Sequence, residues 1–430
     1  MLHKSLAAAA LGVAAAGSST LYVSSFSGKV TALALDGGAG AGGRGGAVPT
    51  LKTVSQTELG GAQSFLALDA GRNVLFGCDE GFRSADGNGT LFALRVERDG
   101  SLRELGRQKT QAGPVFMELF GAGKDTMVIP HFGGKAVSVW DVADPSKMAE
   151  VQREDLELQR PGTKPQQTEA KPHQAIRDPT GNYVVAPDLG ADVLRLFAIA
   201  PGANAREQQP KRRAAPSSGG RGCRGRQDQA GNQLLTPLPP VPVKPGSGPR
   251  HAAFAVAGPK TYMYVVTELS SDIMGFDVSY PAGGAMELNP LFTIKVHGKD
   301  ASKTPEFAAA SEIAVSPDNR FLIVSSRNES TLSVPSFDGD GAADVVSDSL
   351  SNFRIDPATG ALGEVQVRVP SGGRFPRHLS ISADGALVAV ANQLDGRVVV
   401  VERDAQSGVL GGFVAQALLD GNVTSVIFRE

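Results

Sequence analysis

One pattern returns along this chain and limits what it can fold into. "KPHQAIRDPTGNYVVAPDLGADVLRLFAI" (171 to 199) aligns with "FPRHLSISADGALVAVANQLDGRVVVVER" (375 to 403) almost position for position. "AASEIAVSPDNRFLIVSSRNESTLSVPSF" (309 to 337) and "GPRHAAFAVAGPKTYMYVVTELSSD" (248 to 272) fit the same frame. "AQSFLALDAGRNVLFGCDEG" (62 to 81) and "GPVFMELFGAGKDTMVIPHFGGKAVSVWDV" (113 to 142) fit it more loosely. Each unit reads as an apolar strand, a turn, a second apolar strand ending in a polar residue, a loop and a third strand. The turns are chemically apt: Asp-Pro-Thr-Gly at 178 to 181 and Ser-Pro-Asp-Asn at 316 to 319 join a fixed φ to a residue that tolerates positive φ. A fourth strand follows in places, as in "GALGEVQVRVP" (360 to 370).

A further unit is split. "STLYVSSFSGKVTALALD" (19 to 36) has a second and a third strand but no first, and the C-terminal "NVTSVIFRE" (422 to 430) can supply it. Repeats of roughly 45 to 65 residues with four strands each indicate a propeller rather than a sandwich. The predicted fold is therefore all-β, a seven-bladed β-propeller of four-stranded antiparallel blades over residues 17 to 430. Its ring is closed by the C-terminal strand pairing into the first blade. An aromatic content of 6% and 52 glycines suit short strands and tight turns.

Outside the repeats, residues 1 to 16 combine Lys4, an apolar run and Ala14-Ala15-Ala16, which resembles a secretory signal peptide. The expected location is secreted or extracellular, with sequons at Asn88, Asn328 and Asn422 as glycosylation candidates. No segment is long and apolar enough to span a bilayer. A formal net charge of -2 gives no global pull toward nucleic acid or anionic membrane. Residues 201 to 232 form a low-complexity insertion with seven Arg or Lys against two acids, expected between the third and fourth strands of its blade. Gly38, Gly40 and Gly43 formally match G-x-G-x-x-G, but without a βαβ context they do not mark a dinucleotide site. Cys78 and Cys223 sit in unlike contexts, and nothing in their spacing pairs them.

In a propeller the first strands line the central channel and the second strands run antiparallel to them. The start of strand one and the end of strand two therefore share one face. Aligning the strand-two ends gives Ser25, Asp79, His131, Asp188, Glu268, Arg327 and Gln393. Aligning the strand-one starts gives Ser64, Phe116, His173, His251, Glu312 and His378, with Arg250 and Arg377 one residue earlier. Four of the six histidines fall at these rim positions, all but His3 and His297. Such a cup, rich in Arg and His, suits a small substrate bearing carboxylate or phosphate. Asp188 and Gln393 also read as loop caps, and His131 as a supporting residue. Asp79, Asp188 and Glu268 are available to a cation, but the flanking guanidiniums would repel one, so no metal or cofactor is expected.

With these residues in view, the chain resembles the lactonase family of seven-bladed propellers. That family contains bacterial-type 6-phosphogluconolactonase and the fungal carboxy-cis,cis-muconate cyclase. The resemblance rests on "KPHQAIRDPTGNYVVAPDLGADVLRLF", "VKPGSGPRHAAF", "YVVTELSSDI", "SEIAVSPDNRFLIVSSRNES" and "FPRHLSISADG", across residues 19 to 430 apart from the insertion. The cyclase's proposed set of one His, two Arg and one Glu falls on His173, Arg250, Glu268 and Arg327. The chain departs where Ser326-Arg327 replaces a frequent Asn-Arg pair, and in two extra residues in the "AVAGPK" turn.

The resemblance implies an enzyme of lactone chemistry. In a cyclase, Arg250 and Arg327 hold carboxylates of a muconate-type acid while Glu268 or His173 moves the proton. His251, Arg377, His378, His131, Asp188 and Gln393 complete the substrate-binding rim. In a lactone hydrolase, the same base activates water and Arg stabilises the oxyanion. A secreted propeller that binds through the cup without catalysis is the competing class, because secretion fits poorly with cytosolic sugar-phosphate metabolism.

Overall fold

The computed structural model describes residues 19–35, 48–121, 123–158, 160–201, 233–339 and 342–429. Seven four-stranded antiparallel sheets, numbered here as blades one to seven in chain order, surround a central channel. Blade five shows the plan: Pro249–Ala257, Lys260–Thr267, Asp272–Ser279 and Glu287–Lys295 run from the axis outward. The seven inner strands are Val423–Arg429, Gln63–Asp69, Glu118–Phe120, Ile176–Arg177, Pro249–Ala257, Ala309–Val315 and Pro376–Ile381. Val423–Arg429 pairs with Ser19–Ser25, so the last strand completes blade one and closes the ring.

Burial explains the sequence pattern. Strands between two neighbouring blades are covered on both faces, and they read as continuous apolar runs instead of alternating ones. Phe321–Arg327 is buried at every position, whereas the outer strand Lys52–Glu58 is mostly exposed. The core lies between blades: Tyr264, Val266 and Ile273 of blade five pack with Ile313, Leu322 and Val324 of blade six. The blade-one residues Leu21, Val23 and Leu33 pack with Ala389, Val398 and Val400 of blade seven.

The inner turns lie on the face opposite the cup. Asp178 accepts from the amides of Asn182 and Tyr183, while Gly181 and Asn319 adopt positive φ of 75° and 58°. The "AVAGPK" turn lies at this far end too, since Ala257 pairs with Lys260 and Pro249 with Thr267.

Blade six corrects the repeat frame. "STLSVPSF" does not supply the third strand: Leu332–Val334 pairs with Val345–Ser347 in a separate two-stranded ribbon. Ser349–Ile355 takes the third place, beside Phe321–Arg327 and the expected fourth strand Leu362–Pro370. An inserted ribbon breaks the repeat spacing without breaking the blade. Cys78 is a buried free thiol that donates to Pro114 O at 3.2 Å, and burial pushes its pKa well up. Residues 1 to 16, Gly38, Gly40, Gly43, Cys223 and the insertion from residue 202 lie outside the described residues. The strands flanking the insertion, Val193–Ile199 and Leu235–Pro242, are the third and fourth of blade four as expected. Among the described residues no helix is long and apolar enough to cross a membrane.

Candidate active site

Bulges build the cup. At the start of the inner strand, blades one, two, five and seven each carry one residue more than the partner strand. The extra residues are Thr424, Ser64, Arg250 and Arg377. In blade six the register shifts between Ala310 and Ile313, around Glu312. A bulge re-aims a side chain that strict alternation would send between the blades. All five residues line one narrow cavity on the axis, with Phe65, Val115, His173, His251 and His378. Its internal space, about 10 Å³, is that of a single water. A much larger groove, about 700 Å³, lies beside blade four between Glu157, Arg160, Asp192 and Pro245, and none of the cup residues line it.

Each arginine of the cup is paired. A single Glu268 oxygen sits 2.9 Å from Arg250 Nε and 2.8 Å from Arg327 Nη2. Arg377 donates to Glu80 at 2.8 Å and to Ser64 at 3.1 Å. Two of these guanidiniums also rest on rings, Arg327 on Phe375 at 4.8 Å and Arg377 on Phe26 at 5.4 Å. Lys171 lies over Phe132 at 5.4 Å. Phe375 holds a φ of 65°, which is strained for a bulky residue, and its amide is fixed by Asp348 at 2.7 Å. Arg250 is 1% exposed; burial and the nearby Arg327 lower its pKa to about 9, against the countercharge of Glu268. Burial raises the Glu268 pKa, but Arg327 and Arg250 outweigh it and leave the carboxyl below its ordinary value.

The histidines form a chain. His173 Nδ1 meets His251 Nε2 at 3.1 Å, and His251 Nδ1 meets Glu312 Oε1 at 2.8 Å. His378 Nε2 lies 3.7 Å from Glu312 Oε2, while its Nδ1 accepts from the Val426 amide. Burial, followed by the charges of Arg250, His251, Arg377 and Arg327, holds the His173 imidazole well below the ordinary histidine value. Burial likewise brings His251 down to about 4. Burial pushes Glu312 up, but His251, His378 and Arg250 reverse this and bring it to about 2. The cup therefore holds neutral imidazoles beside an ionised carboxylate.

The structure brings together His173, Arg250, His251, Glu268, Arg327, Arg377 and His378. It does not bring in His131, Asp188 or Gln393. His131 is fully buried with Nε2 on Ser138 Oγ, which also accepts from Trp140 Nε1, so it belongs to the blade interior. Asp188 accepts from the amides of Lys171, Gly190 and Ala191 and pairs with Arg195, which makes it a loop cap. Asp79 caps its loop in the same way, its Oδ1 accepting from the amides of Ala62 and Gly81. Gln393 holds the position of Glu268 in its blade, its backbone amide donating to Phe375 O, but its buried side-chain oxygen has no hydrogen-bond partner, and among the described residues no hydrogen bond or ion pair ties its side chain to the cup arginines.

For His131, Asp188 and Asp79 the cause is a one-residue slip in register. Asp79, His131 and Asp188 pair opposite the first inner residue, as Thr267 does. Glu268 lies one position beyond, and its counterpart in blade two is Glu80, whose amide reaches Ala62 O as that of Glu268 reaches Gly248 O. A one-residue shift turns a side chain to the other face. Sequence alignment thus favours Asp79 over its neighbour Glu80, and it places Glu312 at the rim without assigning it a role. Asp188→Ala is expected to cost about 2–3 kcal/mol of stability through its stranded amides and Arg195. Whatever reaction the cup carries out should be nearly unchanged where both proteins are folded, as checked by urea unfolding beside initial rates.

The family model described as "Lactonase, 7-bladed beta-propeller" matches residues 44–229 and 226–428. The 6-phosphogluconolactonase of Bacillus subtilis is 25% identical over 367 residues, spanning 84% of this chain and 86% of its own length. That of Formosa agariphila is 23% identical over 367 residues, spanning 85% and 88%. The solved periplasmic gluconolactonase of Pseudomonas aeruginosa shares the fold with a TM-score of 0.72 at 24% identity, covering 96% of this chain and 99% of that one.

Proposed function

We propose that this chain, which belongs to the lactonase family of seven-bladed β-propellers, is a hydrolase that opens a small lactone. The observation that carries this reading is charge compensation in the cup. Arg250, Arg327 and Arg377 contribute three positive charges, and Glu268, Glu80 and Glu312 contribute three negative ones. Lys171, stacked on Phe132, is a cation outside these pairs among the described residues. A muconate-type substrate brings several carboxylates and needs uncompensated guanidiniums. A lactone ring brings a neutral carbonyl and needs a base and donors for one developing charge. The balance favours hydrolysis over the cyclase reading, as do the names of the relatives.

In this mechanism His173 Nε2 takes a proton from water, and the water oxygen bonds to the lactone carbonyl carbon. The carbonyl oxygen becomes an oxyanion, stabilised by guanidinium donors of Arg250 and Arg377. On collapse the ring C–O bond breaks, and the His173 imidazolium returns its proton to the leaving alkoxide. One lactone and one water give one hydroxy acid. Glu268, clamped between two arginines, orients them instead of carrying the proton. The substrate we favour is a sugar-acid lactone, acted on outside the cytosol if residues 1 to 16 direct export.

The test is a panel of glucono-δ-lactone, 6-phosphogluconolactone and 3-carboxymuconate with the purified protein. Acid release from at least one lactone, with no cyclisation of the muconate, is the expected result. Cyclisation without lactone opening would restore the cyclase. Binding of lactones without turnover would favour the non-catalytic propeller.

A further inference from the structure

We infer that Glu312 and His251 are positioning residues that fix the tautomer of His173 and so aim a bare ring nitrogen at the substrate. This deepens the hydrolase reading and rests on it for its kinetic consequence, but not for its structural content. Each step is forced by donor and acceptor chemistry. An ionised carboxylate only accepts. Glu312 Oε1, 2.8 Å from His251 Nδ1, therefore requires the proton of neutral His251 to sit on Nδ1. His251 Nε2 is then bare, an acceptor, and its neighbour at 3.1 Å, His173 Nδ1, must donate to it. Neutral His173 thus has its lone pair on Nε2. No protein group in the described residues bonds that atom, and His173 lines the cavity.

Glu312 is itself held. Its Oε1 also accepts from the Ile313 amide at 3.1 Å, its own amide donates to Ser325 Oγ at 3.0 Å, and the side chain is nearly buried. The chain runs from the inner strand of blade six through that of blade five to the segment just before Ile176–Arg177 in blade four, so each histidine is aligned from a different part of the fold. Ring contacts brace it: His173 meets His251 edge-on at 5.0 Å and Phe132 at 5.3 Å, and Phe116 meets His251 at 5.8 Å. The charged groups facing this chain are Arg250, Arg327, Arg377 and Glu268, with His378 on the other Glu312 oxygen. None of them supplies a second acceptor to His251 Nδ1, so the tautomer depends on Glu312.

The test is Glu312→Gln in the full chain, read in two ways. Kinetically, kcat should fall about 10²-fold, the lower end of what a positioned proton-transfer group contributes, with KM changed little. The acid limb of kcat/KM should move to lower pH, because the variant removes a negative charge beside the imidazoles. Independently of turnover, nitrogen-15 spectra of the histidine rings should show His173 and His251 protonated at Nδ1 in the unmodified protein. In Glu312→Gln that preference should be lost at His251, with His173→Gln identifying the His173 signals. Lactone turnover with unchanged kcat and pH profile in the variant, or Nε2-protonated His173 in the unmodified protein, overturns the inference. If the unmodified protein opens no lactone, the hydrolase reading fails and the spectra still decide the tautomer. If Glu312→Gln does not fold, the spectra of the unmodified protein decide it.

Discussion

Replacing His173 by glutamine is expected to lower kcat for lactone opening by about a thousandfold, within the range of a general base. Among the described residues no protein group bonds the bare ring nitrogen of His173, whereas His251 is bonded at both nitrogens and the lone pair of His378 is taken by the Val426 amide. Glutamine can still donate to His251 Nε2, so the packing around Phe132 should survive and the loss should fall on kcat more than on KM. Because burial and the surrounding guanidiniums hold His173 well below the ordinary histidine value, the unmodified protein should retain activity into mildly acid solution. The variant should lose that limb of the profile. Single-turnover rates across pH on both proteins check this. An unchanged kcat would remove His173 from the chemistry, and with it the water-activating step.

Much of this is legible in the sequence. The blade count and ring closure followed from turn residues and the missing first strand, because a propeller repeats one hairpin and repetition survives sequence drift. The "GPRH" and "TEL" hairpin placed Arg250 and Glu268 correctly, since both flank a pairing, Pro249 with Thr267, that the apolar runs delimit clearly. What failed was register at one residue. Nothing in "FGCDEG" says whether Asp79 or Glu80 faces the axis, and an Asp that caps backbone amides looks like an Asp that binds substrate. The bulges were partly visible, since Arg250 and Arg377 stood one residue ahead of their aligned histidines. The charge pairing was not visible at all. Arg377 and Glu80 are 297 residues apart, and only the closed ring brings them to 2.8 Å.

The second large effect concerns Glu268. Glu268→Gln is expected to destabilise the fold by about 3 kcal/mol at neutral pH, the lower end for breaking a buried ion pair. The lower end applies because the Glu268 side chain is a quarter exposed, while Arg250 and Arg327 are almost fully buried. Without the negative charge, two guanidiniums face each other across a neutral amide, and burial of Arg250 loses its main countercharge. The pH dependence follows in sign. The folded carboxyl lies below its unfolded value, about 4.3, so its contribution is fully present above that value and disappears as pH falls through the folded one. The stability gap between the two proteins should therefore be widest at neutral pH and narrow on acidification, as read from urea midpoints and slopes at several pH values. The same variant separates the two candidate proton carriers. If Glu268 only orients the arginines, stability falls while kcat drops far less than in His173→Gln. If kcat instead collapses about a thousandfold with the unfolding midpoint unmoved, the proton belongs to Glu268, and His173 is reduced to a ring that shapes the cup.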